Sequence, residues 1–194
     1  TSTDPYAQAM WKHGPWQWSL GVRHSRVAFK VDDRYIAGIN GDDSGSVRFS
    51  ETTPAIGVVY AIDPALNVYA SAGRGFETPT LNELSYGRDG KFNFGLAPAT
   101  SRQAEVGAKA FVGDASRVNL ALFHIETDDE IVVAGASGGR TSYQNAGRTL
   151  RRGLELATES EFSRKLSGRA ALTWMKAAYD EDFVSRGARI PSGN

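Results

Sequence analysis

The chain has 194 residues, which is enough for one ordinary domain. Its 22 Lys and Arg residues balance 22 Asp and Glu residues, so net charge recruits neither nucleic acid nor anionic lipid. Cysteine is absent, which excludes a disulfide framework and a thiolate metal site. No apolar run reaches the ~20 residues of a membrane-spanning helix, and the polar N-terminus predicts no signal peptide.

Alternation of apolar and polar residues predicts strands along most of the chain, because successive side chains of a strand point to opposite faces. The first pattern ends at Trp11, and Trp16 to Arg23 alternates cleanly. The apolar side changes phase near Ser25, which predicts a bulge before Val27 to Val31. The remaining strands are predicted at residues 52–62, 66–75, 101–112, 117–127, 141–159 and 166–180.

The connections between these strands alternate strictly in length. Short turns are predicted at residues 12–15, 63–65, 113–116 and 160–165, and long loops at 32–51, 76–99, 128–140 and from 181 onward. An up-and-down meander with its long loops at one end is typical of an outer-membrane barrel, whereas nothing in a soluble sandwich sorts loops by length. We therefore predict an all-β chain of about eight long antiparallel strands, most of them the ~9–11 residues that cross a bilayer.

The two faces of these strands are predicted to meet lipid and a wet lumen. Leu150, Leu154 and Leu156 fall on the lipid side. Four charged residues form a lumen-facing polar ladder, with cross-strand ion pairs if their strands are neighbours. They are Glu105, Lys109, Arg151 and Glu155. A solvated strand face is the alternative interpretation.

Aromatic residues beside the short turns predict a girdle at the membrane boundary, although such rings could also fill a soluble core. They are Trp11, Trp16, Trp18, Phe111 and Phe162. Arg102 and Arg152 fall on the lipid side near the long-loop end, where an arginine can extend its guanidinium to water.

No catalytic constellation is present, so we predict no enzyme, no catalytic residue and no metal site. The three histidines are far apart in sequence. Residues 128–130 are adjacent acids that lack the spacing of a calcium loop, and we interpret them as a solvated loop start. Gly73 to Gly75 follows a strand but precedes no helix pattern, which argues against a dinucleotide site.

Four segments, in order along the chain, resemble the barrel of TonB-dependent outer-membrane receptors, especially the siderophore-receptor type. They are Tyr69–Glu83, Leu96–Lys109, Ala121–Val132, and Tyr143–Gly147 with Gly153–Glu155. The resemblance implies a barrel of about 22 strands with a plug and a TonB box. Residues 1–194 are then expected to be part of the C-terminal half of that barrel, with plug and box absent.

The resemblance also implies a function in the outer membrane: TonB-energised uptake of a ferric siderophore or similar chelate. Expected partners are the chelate, outer-membrane lipid and, through the missing plug and box, TonB with ExbB and ExbD. Nucleic acid is not an expected partner. No resident cofactor is expected, since iron arrives only inside the cargo. The alternatives are a structural or adhesin-like β module without transport and, with less support, a barrel enzyme.

Candidate ligand-binding residues combine cations with aromatic rings, which suits an anionic, partly aromatic chelate. They are Arg74, Tyr86, Arg88, Lys91, Phe92, Phe94, Arg140 and Tyr143. An open sheet also leaves unpaired edges and an uncovered apolar face. We therefore expect the isolated chain to oligomerise, to swap strands or to require detergent.

Overall fold

The computed structural model describes residues 1–34, 36–37, 41–85, 91–185 and 188–193. Within them, no helix is long and apolar enough to cross a membrane. The elements are β1 (Ser2–Thr3), β2 (Tyr6–His13), β3 (Trp16–Val31), β4 (Gly45–Asp63), β5 (Leu66–Glu77), α1 (Leu81–Ser85), β6 (Ala99–Val112), β7 (Ser116–Asp128), β8 (Ile131–Ser137), β9 (Arg140–Asn145), β10 (Thr149–Ser163), β11 (Leu166–Tyr179), β12 (Phe183–Ser185) and β13 (Ala188–Ile190).

One antiparallel meander forms the body of the chain. Its strand order is β1, β3, β4, β5, β6, β7, β10, β11, and β2 pairs with β3 beside β1. Because β1 and β2 follow each other along the same edge of β3, they act as one interrupted strand. The prediction of about eight long antiparallel strands is confirmed. The hairpins β8–β9 and β12–β13 form separate two-stranded sheets.

The strand register divides the sheet into an apolar face and a polar face. One row across the apolar face contains Trp11, Trp18, Val58, Ala70, Val106, Leu122, Leu154 and Trp174. A row across the polar face contains Lys12, Gln17, Val59, Tyr69, Gly107, Ala121, Glu155 and Thr173. Trp174 is 66% exposed and Val106 52% exposed, so within the described residues nothing covers the apolar face.

The predicted bulge near Ser25 is wrong. β3 and β4 keep one continuous register from Trp16 opposite Tyr60 to Val31 opposite Gly45. The phase changes because, between Ser25 and the long-loop end, the apolar side chains lie on the polar face of the sheet. There Phe29 packs edge-on against the buried Phe49, with ring centroids 6.4 Å apart. Within the large sheet, the register shifts lie at the short-turn end, between Ala61 and Asp63 and between Glu161 and Ser163, and a further shift lies in the β8–β9 hairpin between Val133 and Gly135.

The long connections are more ordered than the sequence predicted. β4 begins at Gly45 rather than Thr52, and α1 lies within the second loop. The third loop contains β8, and β9 pairs with β8 instead of continuing into β10. The stretch 141–159 is therefore two strands interrupted at residues 146–148. The segment after 181 contains the hairpin β12–β13.

The aromatic residues at the short-turn end divide between the two faces. Trp11 stacks on Trp18 with ring centroids 5.5 Å apart, and Trp16 packs on Tyr60 at 4.5 Å, all on the apolar face. Phe111 does not belong with them, because it lies opposite Arg117 on the polar face, with that guanidinium 5.2 Å from the ring centroid.

Candidate functional site

The four residues of the predicted polar ladder share the polar face, but they do not pair with one another. Glu105 and Lys109 lie on β6, whereas Arg151 and Glu155 lie on β10. β7 separates these two strands, so the predicted cross-strand ion pairs between them are absent from the described residues. The alternation located the face correctly, but it could not show which strands are neighbours.

Tyr69 is the centre of the contacts around Glu105 and Lys109, and the alternation of the strand did not indicate it as a site residue. Its hydroxyl donates a 2.6 Å hydrogen bond to Glu105 Oε1, and Lys109 Nζ lies 5.2 Å from its ring centroid. The ring lies over Gly107, its direct partner on β6, where no side chain obstructs it. A tyrosine opposite a strand glycine on a polar face is the signal that could have indicated this cluster.

Tyr69→Phe is expected to destabilise the folded sheet by about 1–2 kcal/mol, because Glu105 loses a charge-assisted hydrogen bond in a half-buried position. Urea unfolding of the receptor that contains this chain would measure the loss. Tyr60→Phe is the matched control, since its hydroxyl has no hydrogen bond within the described residues. Equal unfolding midpoints for both variants would contradict the prediction.

The acids at residues 128–130 hold the rim at the long-loop end, so their interpretation as a solvated loop start is wrong for two of them. Asp128 Oδ1 accepts a 2.8 Å hydrogen bond from Arg148 Nε, which raises the pKa of Arg148. Glu130 binds the Arg151 guanidinium at 2.5 Å and accepts a hydrogen bond from the Thr149 hydroxyl. Only Asp129 is exposed.

Asn145 joins the two central long loops. Its side-chain amide donates to the carbonyls of Ala97 at 2.9 Å and Asp129 at 2.8 Å, and its oxygen accepts from the Ala97 N–H at 2.8 Å. A capping box at Thr80 and Glu83 begins α1, which buries Leu84. The second and third long loops are therefore joined by hydrogen bonds beyond the long-loop end of the sheet, and we call them the loop layer.

The predicted ligand-binding residues occupy different parts of this layer. Phe92 and Phe94 stack with ring centroids 5.6 Å apart, and Phe94 lies against Gly45 at the start of β4. Lys91 is exposed, and Arg140 and Tyr143 lie on β9. Tyr86 and Arg88 lie outside the described residues.

Arg74 is placed apart from the other candidates. Its position opposite Arg102 puts it on the apolar face, and its guanidinium is 3.5 Å from Glu51. Its contact with a ligand stays a prediction. The register argues against that contact, because it places Arg74 on the face opposite to the lumen.

The β12–β13 hairpin is closed by Asp182. Its carboxylate accepts hydrogen bonds from the Ser192 N–H at 2.6 Å and Arg189 Nε at 3.1 Å, and these lower its pKa, with the Ser192 bond the larger cause. A lowered pKa means that this contribution to stability is present above the ordinary value of 3.8 and is lost as pH falls below it.

Amide exchange at Ser192, corrected for its intrinsic pH dependence, is therefore expected to be protected above about pH 5 and to accelerate as pH falls through the carboxyl titration. Asp182→Asn is the control, because its exchange should show no such pH dependence. An identical profile in both proteins would refute the assignment.

The fold and the site together define a segment of a membrane-spanning β-barrel wall. It has one apolar face, one polar face, short turns at one end and an ordered loop layer at the other. The family model described as TonB dependent receptor-like, beta-barrel matches residues 1–193, and the chain belongs to this family. Its strands are thus part of an outer-membrane barrel, with the apolar face toward lipid and the polar face toward the lumen.

Similar proteins agree with this assignment. The metal-pseudopaline receptor CntO of Pseudomonas aeruginosa is 26% identical over 186 residues, covering 90% of this chain and 24% of the relative. The vitamin B12 transporter BtuB of Vibrio vulnificus is 27% identical over 156 residues, covering 79% and 25%. The chain spans about a quarter of the length of these relatives.

Among solved structures, the siderophore receptor PiuA of Acinetobacter baumannii superposes with a TM-score of 0.74 at 17% identity, covering 98% of this chain and 27% of that chain. At that identity the likeness demonstrates the fold alone.

Proposed function

We propose that this chain forms part of the wall of a receptor that takes up a ferric siderophore or a similar metal chelate. The match of the barrel family over residues 1–193 carries the proposal. Two of the three similar proteins are named for a metal chelate or siderophore and one for vitamin B12. We therefore propose a metal chelate as the cargo of this receptor. Transport, not catalysis, is the proposed activity, with no resident cofactor and iron present only as cargo.

The proposed capture surface is the loop layer. Lys91, Phe92 and Phe94 belong to one loop, and Arg140 and Tyr143 to another, which Asn145 ties to the first. Stacked rings beside cations suit an anionic chelate with aromatic groups. Tyr86 and Arg88 are included in the proposed capture surface on the basis of their sequence position alone. We assign release of the cargo into the periplasm to a plug driven by TonB with ExbB and ExbD.

Uptake of radiolabelled ferric chelates by iron-limited cells that carry the intact receptor tests this proposal. We expect one member of a siderophore panel to be accumulated, and accumulation to stop when TonB is deleted. Phe92→Ala with Phe94→Ala should weaken chelate binding about 10-fold or more, since stacking on a ring contributes about 1–2 kcal/mol. Asp114→Ala, in a turn at the other end, is the control. Surface binding without TonB-dependent uptake would favour the adhesin-like alternative.

The isolated chain is proposed to associate with itself or with detergent. Leu172 and Trp174 on the last strand of the sheet are 60% and 66% exposed, and the far edge of β11 has no partner among the described residues. Light scattering of the detergent-free chain should therefore show oligomers. A stable monomer at high concentration would contradict this expectation.

A further inference from the structure

Although the chain carries no net charge, basic residues are concentrated in two neighbouring rows of its lipid-facing side. Five consecutive strands of the sheet, β5, β6, β7, β10 and β11, each place one there by register. They are Arg74, Arg102, His124, Arg152 and Lys176. Lys176, Arg152 and His124 share one row, and Arg102 and Arg74 share the row above it.

Arg152 lies at the outer boundary of the membrane. The short turns of such barrels face the periplasm, and the exposed Phe162 lies beside the one after β10. Arg152 and Phe162 are separated by about 33 Å of strand at about 3.3 Å per residue. At a strand tilt of about 40° this is about 25 Å along the membrane normal, which equals the height of the apolar band of such barrels. Arg152 and the directly opposite Lys176 therefore lie near the level of the lipid headgroups of the outer leaflet.

Two of the five basic residues, Arg152 and Lys176, have no partner within the described residues. His124 lies 3.2 Å from Glu126, Arg74 lies 3.5 Å from Glu51, and Arg102 lies 3.9 Å from Asp128. Arg152 and Lys176, by contrast, face each other directly across β10 and β11 without a hydrogen bond or an ion pair. Like charges directly opposite each other destabilise a strand pair unless an anion lies between them.

The surroundings of this pair fit a lipid better than a free anion. A cavity of about 280 Å³ opens beside it, lined also by Leu150, Ala178 and Ser192. Its one acid, Asp180, is 3.9 Å from Arg148. Below it, the exposed Leu172 and Trp174 continue the same face toward the membrane centre. A bound molecule can thus place an anionic group against the cations and its acyl chains along the apolar surface.

We propose that Arg152 and Lys176 bind a headgroup phosphate of the outer-leaflet lipid. The phosphate lies between the two cations and removes their repulsion, and the lipid chains cover the apolar face beneath. This site lies on the outside of the barrel wall, so it is separate from the loop layer and does not depend on which cargo the receptor carries.

Native mass spectrometry of the intact receptor in detergent, titrated with diphosphorylated lipid A, tests the site. Replacing both cations, R152Q with K176Q, should weaken lipid binding about 30-fold, from about 1 kcal/mol per cation near an anionic surface. The control is R164Q with K165Q in the periplasmic turn of the same hairpin, which removes the same charge and should leave binding unchanged. R152K keeps the charge and should retain most of the affinity.

Two further measurements distinguish a lipid phosphate from a free phosphate ion. Dephosphorylated lipid A should bind the wild type and R152Q/K176Q equally. Inorganic phosphate at millimolar concentration should not displace the lipid, and displacement would show a small-anion site and overturn the proposal. Equal lipid A binding by the wild type and R152Q/K176Q would also overturn it. Slower migration of heated than of unheated samples on gels verifies that each variant is folded.

Discussion

Gly107→Val is expected to destabilise the barrel wall by about 3 kcal/mol, at the upper end of the cost of overpacking. A Cβ at this position would lie 2.5 Å from the Leu120 carbonyl oxygen and 2.6 Å from the Tyr69 ring. The carbonyl belongs to the neighbouring strand, so a rotamer change cannot relieve the contact. Moving the ring would also break its hydrogen bond to Glu105.

Urea unfolding of the intact receptor in lipid vesicles would measure this effect. Gly21→Val is the matched control, because Gly21 also lies within a strand on the polar face and a Cβ there meets nothing within 4 Å. We expect Gly21→Val to leave stability unchanged or to raise it, since valine favours strands. The interpretation fails if both substitutions shift the unfolding midpoint equally.

Glu130→Ala is expected to loosen the third long loop without unfolding the sheet. The substitution leaves the Arg151 guanidinium without its 2.5 Å partner and removes the acceptor of the Thr149 hydroxyl. Both charged side chains are about one-quarter to one-third exposed, at 25% and 31%, so the loss should be about 2 kcal/mol. Hydrogen exchange of residues 131–145 should rise about 30-fold if the loop opens as a unit.

The control for this prediction is Glu159→Ala, which breaks the Arg169 ion pair at the periplasmic end. Those side chains are 82% and 46% exposed, so the loss should be about 0–1 kcal/mol. Unchanged exchange in the Glu130→Ala protein would indicate that Asn145 and the β8–β9 pairing alone hold the loop.

The sequence was sufficient to predict the long strands of the sheet, the order of short and long connections and, for most residues of those strands, the face on which the side chain lies. Leu154 and Glu155 were assigned correctly because the two-residue period of a strand is local and each face meets one medium. The turns were equally predictable from the sequence, since Gly and Pro favour turns through their own backbone conformations. The β3 phase change shows the limit of this rule, because the medium changes where a strand leaves the membrane.

Only the tertiary structure decided which distant residues meet. It separated Glu105 from Arg151 by a whole strand, folded β9 back onto β8, and brought Glu130 to Arg151 and Asn145 to Ala97. It also placed Arg152 directly opposite Lys176 on the lipid-facing side. Alternation assigns a side chain to a face but says nothing about its neighbour across the sheet, because that depends on strand pairing between residues far apart in sequence.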